Sequence, residues 1–145
     1  MTLPAPEPGL VIRYVYLWAK ERVAGAVEGF KARPCAVVLA SRPAGDVTRV
    51  LVVPVTHSPP QDNDEAFELP SAVKRSLGMD ADRSWVVLSE SNIFDWPGPD
   101  LRRVDIRGRV SFAYGHLPPK LFSDIKRRFV ELERAARSRR VPRDG

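Results

Sequence analysis

The chain has 145 residues, 43% hydrophobic and 28% charged, with one cysteine and a formal net charge of +5. That is one domain's worth, long enough to bury a core without staples, and a lone cysteine excludes an intramolecular disulfide framework. Residues 120–145 carry nine Lys/Arg against four Asp/Glu, while the first 119 hold fourteen of each sign. The basicity therefore belongs to the last helix and tail, and composition alone points only weakly to a nucleic-acid partner.

Residues 1–8 form a proline-rich lead-in without the basic and apolar regions of a signal peptide. No apolar run approaches the roughly 20 residues that cross a bilayer, and a cytoplasmic location is expected. Leu10–Trp18, rich in β-branched and aromatic residues, reads as a first strand. Residues 19–34, with Gly25 and Gly29 among charges, read as a long loop. Cys35–Ala40 is a continuously apolar strand, which makes Cys35 a core residue in a reducing compartment. A turn is expected over 41–46, then a strand over Arg49–Val55 with Pro54 at an edge or bulge. Ser58–Glu65 reads as a polar loop, Phe67–Leu69 as a brief strand, and Pro70–Leu77 as a short helix with proline at its start and Gly78 at its end. Trp85–Leu88 is a central strand running into Ser89–Asn92. A turn over 96–100 and two weaker strands, 101–106 and 109–114, follow. From Pro118 onward Leu121, Phe122, Ile125, Phe129, Leu132 and Ala136 share one helical face, opposite Lys126, Arg127, Glu131 and Arg134. Residues 138–145 are expected to be a flexible basic tail. Short strands closed by one amphipathic helix describe a single small α+β, barrel-like domain.

The chemistry is sparse. His57 and His116 are the only histidines, and no ligand spacing joins them to Cys35, so no metal is implied. Nor is any cofactor: there is no phosphate-cradling glycine motif and no nucleophile elbow. Three segments remain. In Lys31-Ala32-Arg33-Pro34, Arg33 meets a buried strand, either as a phosphate-binding guanidinium suited by its bidentate fork or as half of a surface ion pair. Thr56-His57-Ser58 ends another strand. Alternation sets Thr56 and Ser58 on one face and His57 on the other, although turn chemistry before Pro59-Pro60 accounts for the same residues. Glu90, among Ser89, Ser91 and Asn92, is a general base if its pKa is raised, or a solvated strand-end glutamate.

These segments, in this order, resemble the MazF/PemK family of toxin–antitoxin ribonucleases. The matching pieces are Pro8-Gly9 before the first strand, Lys31-Ala32-Arg33-Pro34, Val53-Pro54-Val55-Thr56-His57-Ser58, Trp85-Val86-Val87-Leu88-Ser89-Glu90, Phe94-Asp95-Trp96 and the closing helix. The resemblance spans about residues 8–133 and rests on order and spacing. It implies a plug-type, SH3-like β-barrel sheet that forms a homodimer and cuts single-stranded RNA without a metal. In such an enzyme the ribose 2′-OH attacks the adjacent phosphate, leaving a 2′,3′-cyclic phosphate, and a cognate antitoxin protein blocks the groove. By the same resemblance Arg33 stabilises the phosphate, Thr56 hydrogen-bonds it, Glu90 orients or deprotonates the 2′-OH, and Ser58, Lys31, Lys20 and Arg22 contact RNA. Some members carry an arginine as proton donor two positions before the carboxylate, where this chain has Leu88. His57, between Thr56 and Ser58, is the expected substitute acid, since an imidazole titrates near neutrality. The alternative is a non-catalytic toxin on the same scaffold that binds a protein, as gyrase poisons do, or an inactive, degenerate member.

Overall fold

The computed structural model describes residues 3–23, 25, 31–135 and 138–143, and leaves the side chains of residues 22, 23, 43 and 44 undescribed. Three antiparallel strands form its centre: β1 (Leu10–Val15), β2 (Ala32–Ala44) and β3 (Val47–Thr56). Side chains alternate cleanly across this sheet. Val11, Ala36, Val38, Leu51, Val53 and Val55 enter one apolar cluster, and Leu10, Ile12, Cys35, Val37, Val50 and Val52 enter the other. Burial of both faces is why these strands read as unbroken apolar runs rather than alternating ones. Cys35 is fully buried, and that burial pushes its thiol pKa up, so it is an inert core residue.

The first face is covered by α3 (Pro119–Arg134), which inserts Ile125, Phe129 and Leu132. Full burial of each such side chain stabilises by about 1.5–3 kcal/mol. Phe94, Leu101 and Ala113 cover the second face. Among the described residues the main sheet runs β10-β6-β3-β2-β1-β9, with β4 (Ala66–Glu68) and β5 (Trp85–Val87) attached to the far end of β3. Here β6 is Glu90–Asp95, β9 is Ala113–His116 and β10 is Arg139–Pro142. A separate hairpin joins β7 (Val104–Ile106) and β8 (Arg109–Ser111). The result is a mostly antiparallel, curled half-barrel sheet with few helices, an α+β small-barrel arrangement. No helix among the described residues is long and apolar enough to cross a membrane.

Pro54 sits where β3 changes its outer partner. Its pairing with β6 ends at Val52 and its pairing with β5 begins at Val55, so the missing N–H breaks no bond there. The short helix α2 (Ser71–Ser76) lies within the expected 70–77 span, and Gly78 follows it at φ +70°. A Cβ at Gly78 would meet Ile106 Cγ2 at 2.5 Å, so a side chain is excluded by both conformation and space.

Four expectations are corrected. The segment after β1 is not all loop, because Ala19–Val23 forms the short helix α1. The turn expected over 41–46 is confined to Gly45-Asp46, since β2 continues to Ala44. Glu90 does not end the Trp85 strand. The chain breaks after β5, buries Leu88 in the core, and Glu90 opens β6. The basic tail is part of the sheet: Arg139–Pro142 pairs in parallel with β6, and Arg143 is buried. Of the apolar face expected on the last helix, Ala136 lies outside the described residues, as do residues 144–145 of the tail.

Candidate functional site

Arg33 and Thr56 stand at the ends of β2 and β3 and line two adjoining clefts. The first, about 510 Å³, is completed by Trp18, Lys20, Ser58, Ser89 and Glu90, with Pro59, Pro60 and Val87 as apolar wall. The second, about 380 Å³, is lined by Arg13, Lys31, His57, Met79, Asp80 and Tyr114. Of the residues singled out from sequence, Arg33, Thr56, Glu90, Ser58 and Lys20 thus share one cleft. His57 and Lys31 fall in the other. The side chain of Arg22 lies outside the described residues.

Arg33 stacks its guanidinium on the Trp18 ring, 5.1 Å from the centroid. Its one hydrogen bond among the described residues is a long one, from Nη1 to the Val55 carbonyl at 3.5 Å, and its buried Nε has no acceptor. A half-buried cation with so few acceptors suits an anionic ligand. Thr56 Oγ1 accepts from the Ser58 amide at 3.2 Å, the local turn bond expected of a threonine at a strand end, and its hydroxyl proton is left to donate outward.

Glu90 is held by its Oε1, which accepts from the Tyr16 hydroxyl (3.1 Å) and from the Ala19 amide (2.9 Å). Burial raises its pKa, against the opposing effect of those two bonds and of the Arg139 and Lys20 charges. A carboxyl raised by desolvation is the ordinary route to a general base that works near neutrality. Tyr16 itself is pushed upward by burial and by Glu90, so it stays a neutral donor.

His57 lies in a more open setting. Its Nε2 is 2.9 Å from Asp80 Oδ2, and both side chains are about half exposed, at 53% and 52%. Asp80 is held below the ordinary carboxylate range chiefly by its hydrogen bond from Lys74, with His57 adding to it. Lys74 is buried, and its ammonium bonds Asp80 Oδ1 (2.7 Å), Ser84 Oγ (2.7 Å) and the Asp82 carbonyl. His57, Asp80 and Asp82 bring potential metal-ligand atoms within 4.8 Å of one another, but one Asp80 oxygen is already bonded by the Lys74 ammonium and the other by His57.

Sequence reasoning missed Tyr16, Trp18, Asp80 and Arg139 as parts of the site. The first two were legible only as strand residues, and the Glu90–Tyr16 bond closes 74 residues of chain, which no local pattern signals. Leu88, where some members of the resembled family have arginine, is wholly buried in the core with Leu132 and Val86, so this position faces away from both clefts. No protein-family model matches the chain, and no curated protein matches it significantly.

Proposed function

We propose that this chain is a metal-independent endoribonuclease of the MazF/PemK kind, built on the family's SH3-like plug barrel. It acts on single-stranded RNA as the toxin of a type II toxin–antitoxin pair, as a cytoplasmic homodimer restrained by its antitoxin. The observation that carries the reading is the junction of the two clefts. An acceptor-poor arginine and a threonine hydroxyl meet there, with a desolvated carboxylate on one side and an imidazole on the other.

That layout suits an in-line displacement, in which base and acid work on opposite sides of phosphorus. Glu90 takes the proton of the ribose 2′-OH as its oxygen bonds to phosphorus. Arg33 and the Thr56 hydroxyl donate to the non-bridging oxygens as charge builds there. The bond to the 5′-oxygen breaks, and His57 supplies that oxygen's proton, leaving a 2′,3′-cyclic phosphate and a free 5′-OH. Lys20, Lys31 and Ser58 flank the junction and hold the neighbouring backbone. Because residue 88 faces the core, an arginine is not required there for the cleft to hold an acid.

The test is cleavage of a mixed-sequence single-stranded RNA in EDTA by the parent and by Arg33→Ala. Cyclic-phosphate ends from the parent alone are expected. Intact RNA with a folded parent would reject the enzyme in favour of the protein-binding toxin.

A further inference from the structure

One wall of the Glu90 cleft is the segment from Tyr16 to Lys20. Tyr16 and Ala19 bond the carboxylate, and Trp18 stacks under Arg33. What fixes this segment comes from distant parts of the chain. The Asn92 amide uses both its groups on Leu17: Nδ2 donates to the Leu17 carbonyl (2.8 Å) and Oδ1 accepts from the Leu17 amide (2.9 Å). The same Oδ1 accepts from Arg143 Nη1 (3.0 Å), which also donates to the Val15 carbonyl (3.0 Å). Arg143 Nη2 donates to Asp100 Oδ2 at 2.8 Å, and its guanidinium lies over the Tyr14 ring, 5.6 Å from the centroid. Asn92 is fully buried, and only 2% of the Arg143 side chain is exposed.

Strand β10 continues the arrangement. It sets Arg139 beside Glu90, and its Val141 packs with Leu17 and Ala19. Nothing in these contacts needs an arginine for charge alone. A guanidinium fork reaches Val15, Asn92 and Asp100 together, and an ammonium on a single stem does not.

We infer that β10 is a brace for the cleft, and that Arg143 and Asn92 are positioning residues for Glu90, acting through residues 15–19. The consequence for catalysis rests on the reading of Glu90 as the base, whereas the brace itself is tested without any RNA.

Arg143→Ala and Arg143→Lys, made in the full chain, are compared with the parent by amide hydrogen exchange, by NMR titration of the Glu90 carboxyl, and by RNA cleavage. The groups facing Glu90 are Tyr16, Lys20 and Arg139, with Arg33 and Glu65 also on the cleft walls. In Arg143→Ala the Ala19 amide is expected to exchange at least about tenfold faster. The Glu90 titration is expected to fall toward the ordinary carboxylate range as water enters. The kcat is expected to drop about tenfold, with KM within about threefold, because a misplaced base costs rate more than binding. Arg143→Lys is expected to fall between the two, and it decides by the same readouts if the alanine variant does not fold. A folded variant with parental Ala19 exchange and parental Glu90 titration overturns the brace. If the parent leaves RNA intact, the nuclease reading fails, while the exchange and titration still decide the brace.

Discussion

The two clefts that meet at Arg33 and Thr56 treat their titratable groups in opposite ways. Glu90 is half-buried, accepts two hydrogen bonds on one oxygen, and is raised by desolvation. His57 is half exposed and shares its partner Asp80 with a buried lysine that holds that carboxyl low. The contrast teaches how setting decides a charge: burial disfavours the ionised Glu90 carboxyl, while the Lys74 ammonium favours the ionised Asp80. It also sets two opposed pH dependences of stability. The raised Glu90 binds its proton more tightly in the folded chain. Its contribution is therefore full below the ordinary glutamate pKa and is lost as pH rises through the raised value. The lowered Asp80 contributes above the ordinary aspartate pKa, and that contribution is lost as pH falls through its lowered value.

The largest expected effect is at the junction both clefts share. On the proposed mechanism, in which the guanidinium is the principal donor to the developing phosphorane charge, Arg33→Ala is expected to lower kcat by about a thousandfold; single-turnover cleavage measures it. Glu90→Gln is expected to cost about a hundredfold. It should also remove the decline in stability as pH rises through the raised pKa, seen in thermal unfolding at several pH values. If Glu90→Gln keeps that decline, the desolvated side of the comparison is wrong. His57→Ala is expected to cost about tenfold in kcat. Cleavage by this variant at the parent rate across pH 6–8 would sink its role as the acid. Lys74→Ala is expected to destabilise the fold by about 2 kcal/mol in chemical denaturation, because it strips charged hydrogen bonds from a buried site. Lys20→Ala is the smallest, raising KM about threefold and reducing the salt dependence of binding.

Much of this architecture was legible beforehand, and the reasons differ by element. The strands expected over Leu10–Trp18, of which the structure keeps Leu10–Val15, and over Cys35–Ala40 and Arg49–Val55 announced themselves because both sheet faces are buried, and α3 because its apolar residues repeat at helical spacing. Strands β6 and β10 did not. In β6 the buried Ser91 and Asn92 are polar, and Asn92 is held inside by hydrogen bonds to Leu17 and Arg143 rather than by apolarity. In β10 the sequence Arg139-Arg140-Val141-Pro142 has the composition of a solvated tail, and its order comes from backbone pairing and from one buried arginine. Within the site, the strand-end positions of Arg33 and Thr56 followed from the apolar runs they close. The separation of His57 from Ser58 follows the alternation at the end of β3, whereas Glu90 is tied to Tyr16 across 74 residues, which no local pattern signals.

The most direct measurement is the product chemistry of the parent protein and of Glu90→Gln on single-stranded RNA in EDTA. Fragments bearing 2′,3′-cyclic phosphates from the parent, with about a hundredfold less from Glu90→Gln, are the expected result. Equal cleavage by the two proteins, or none by a folded parent, would contradict the assignment of this cleft as the ribonuclease site.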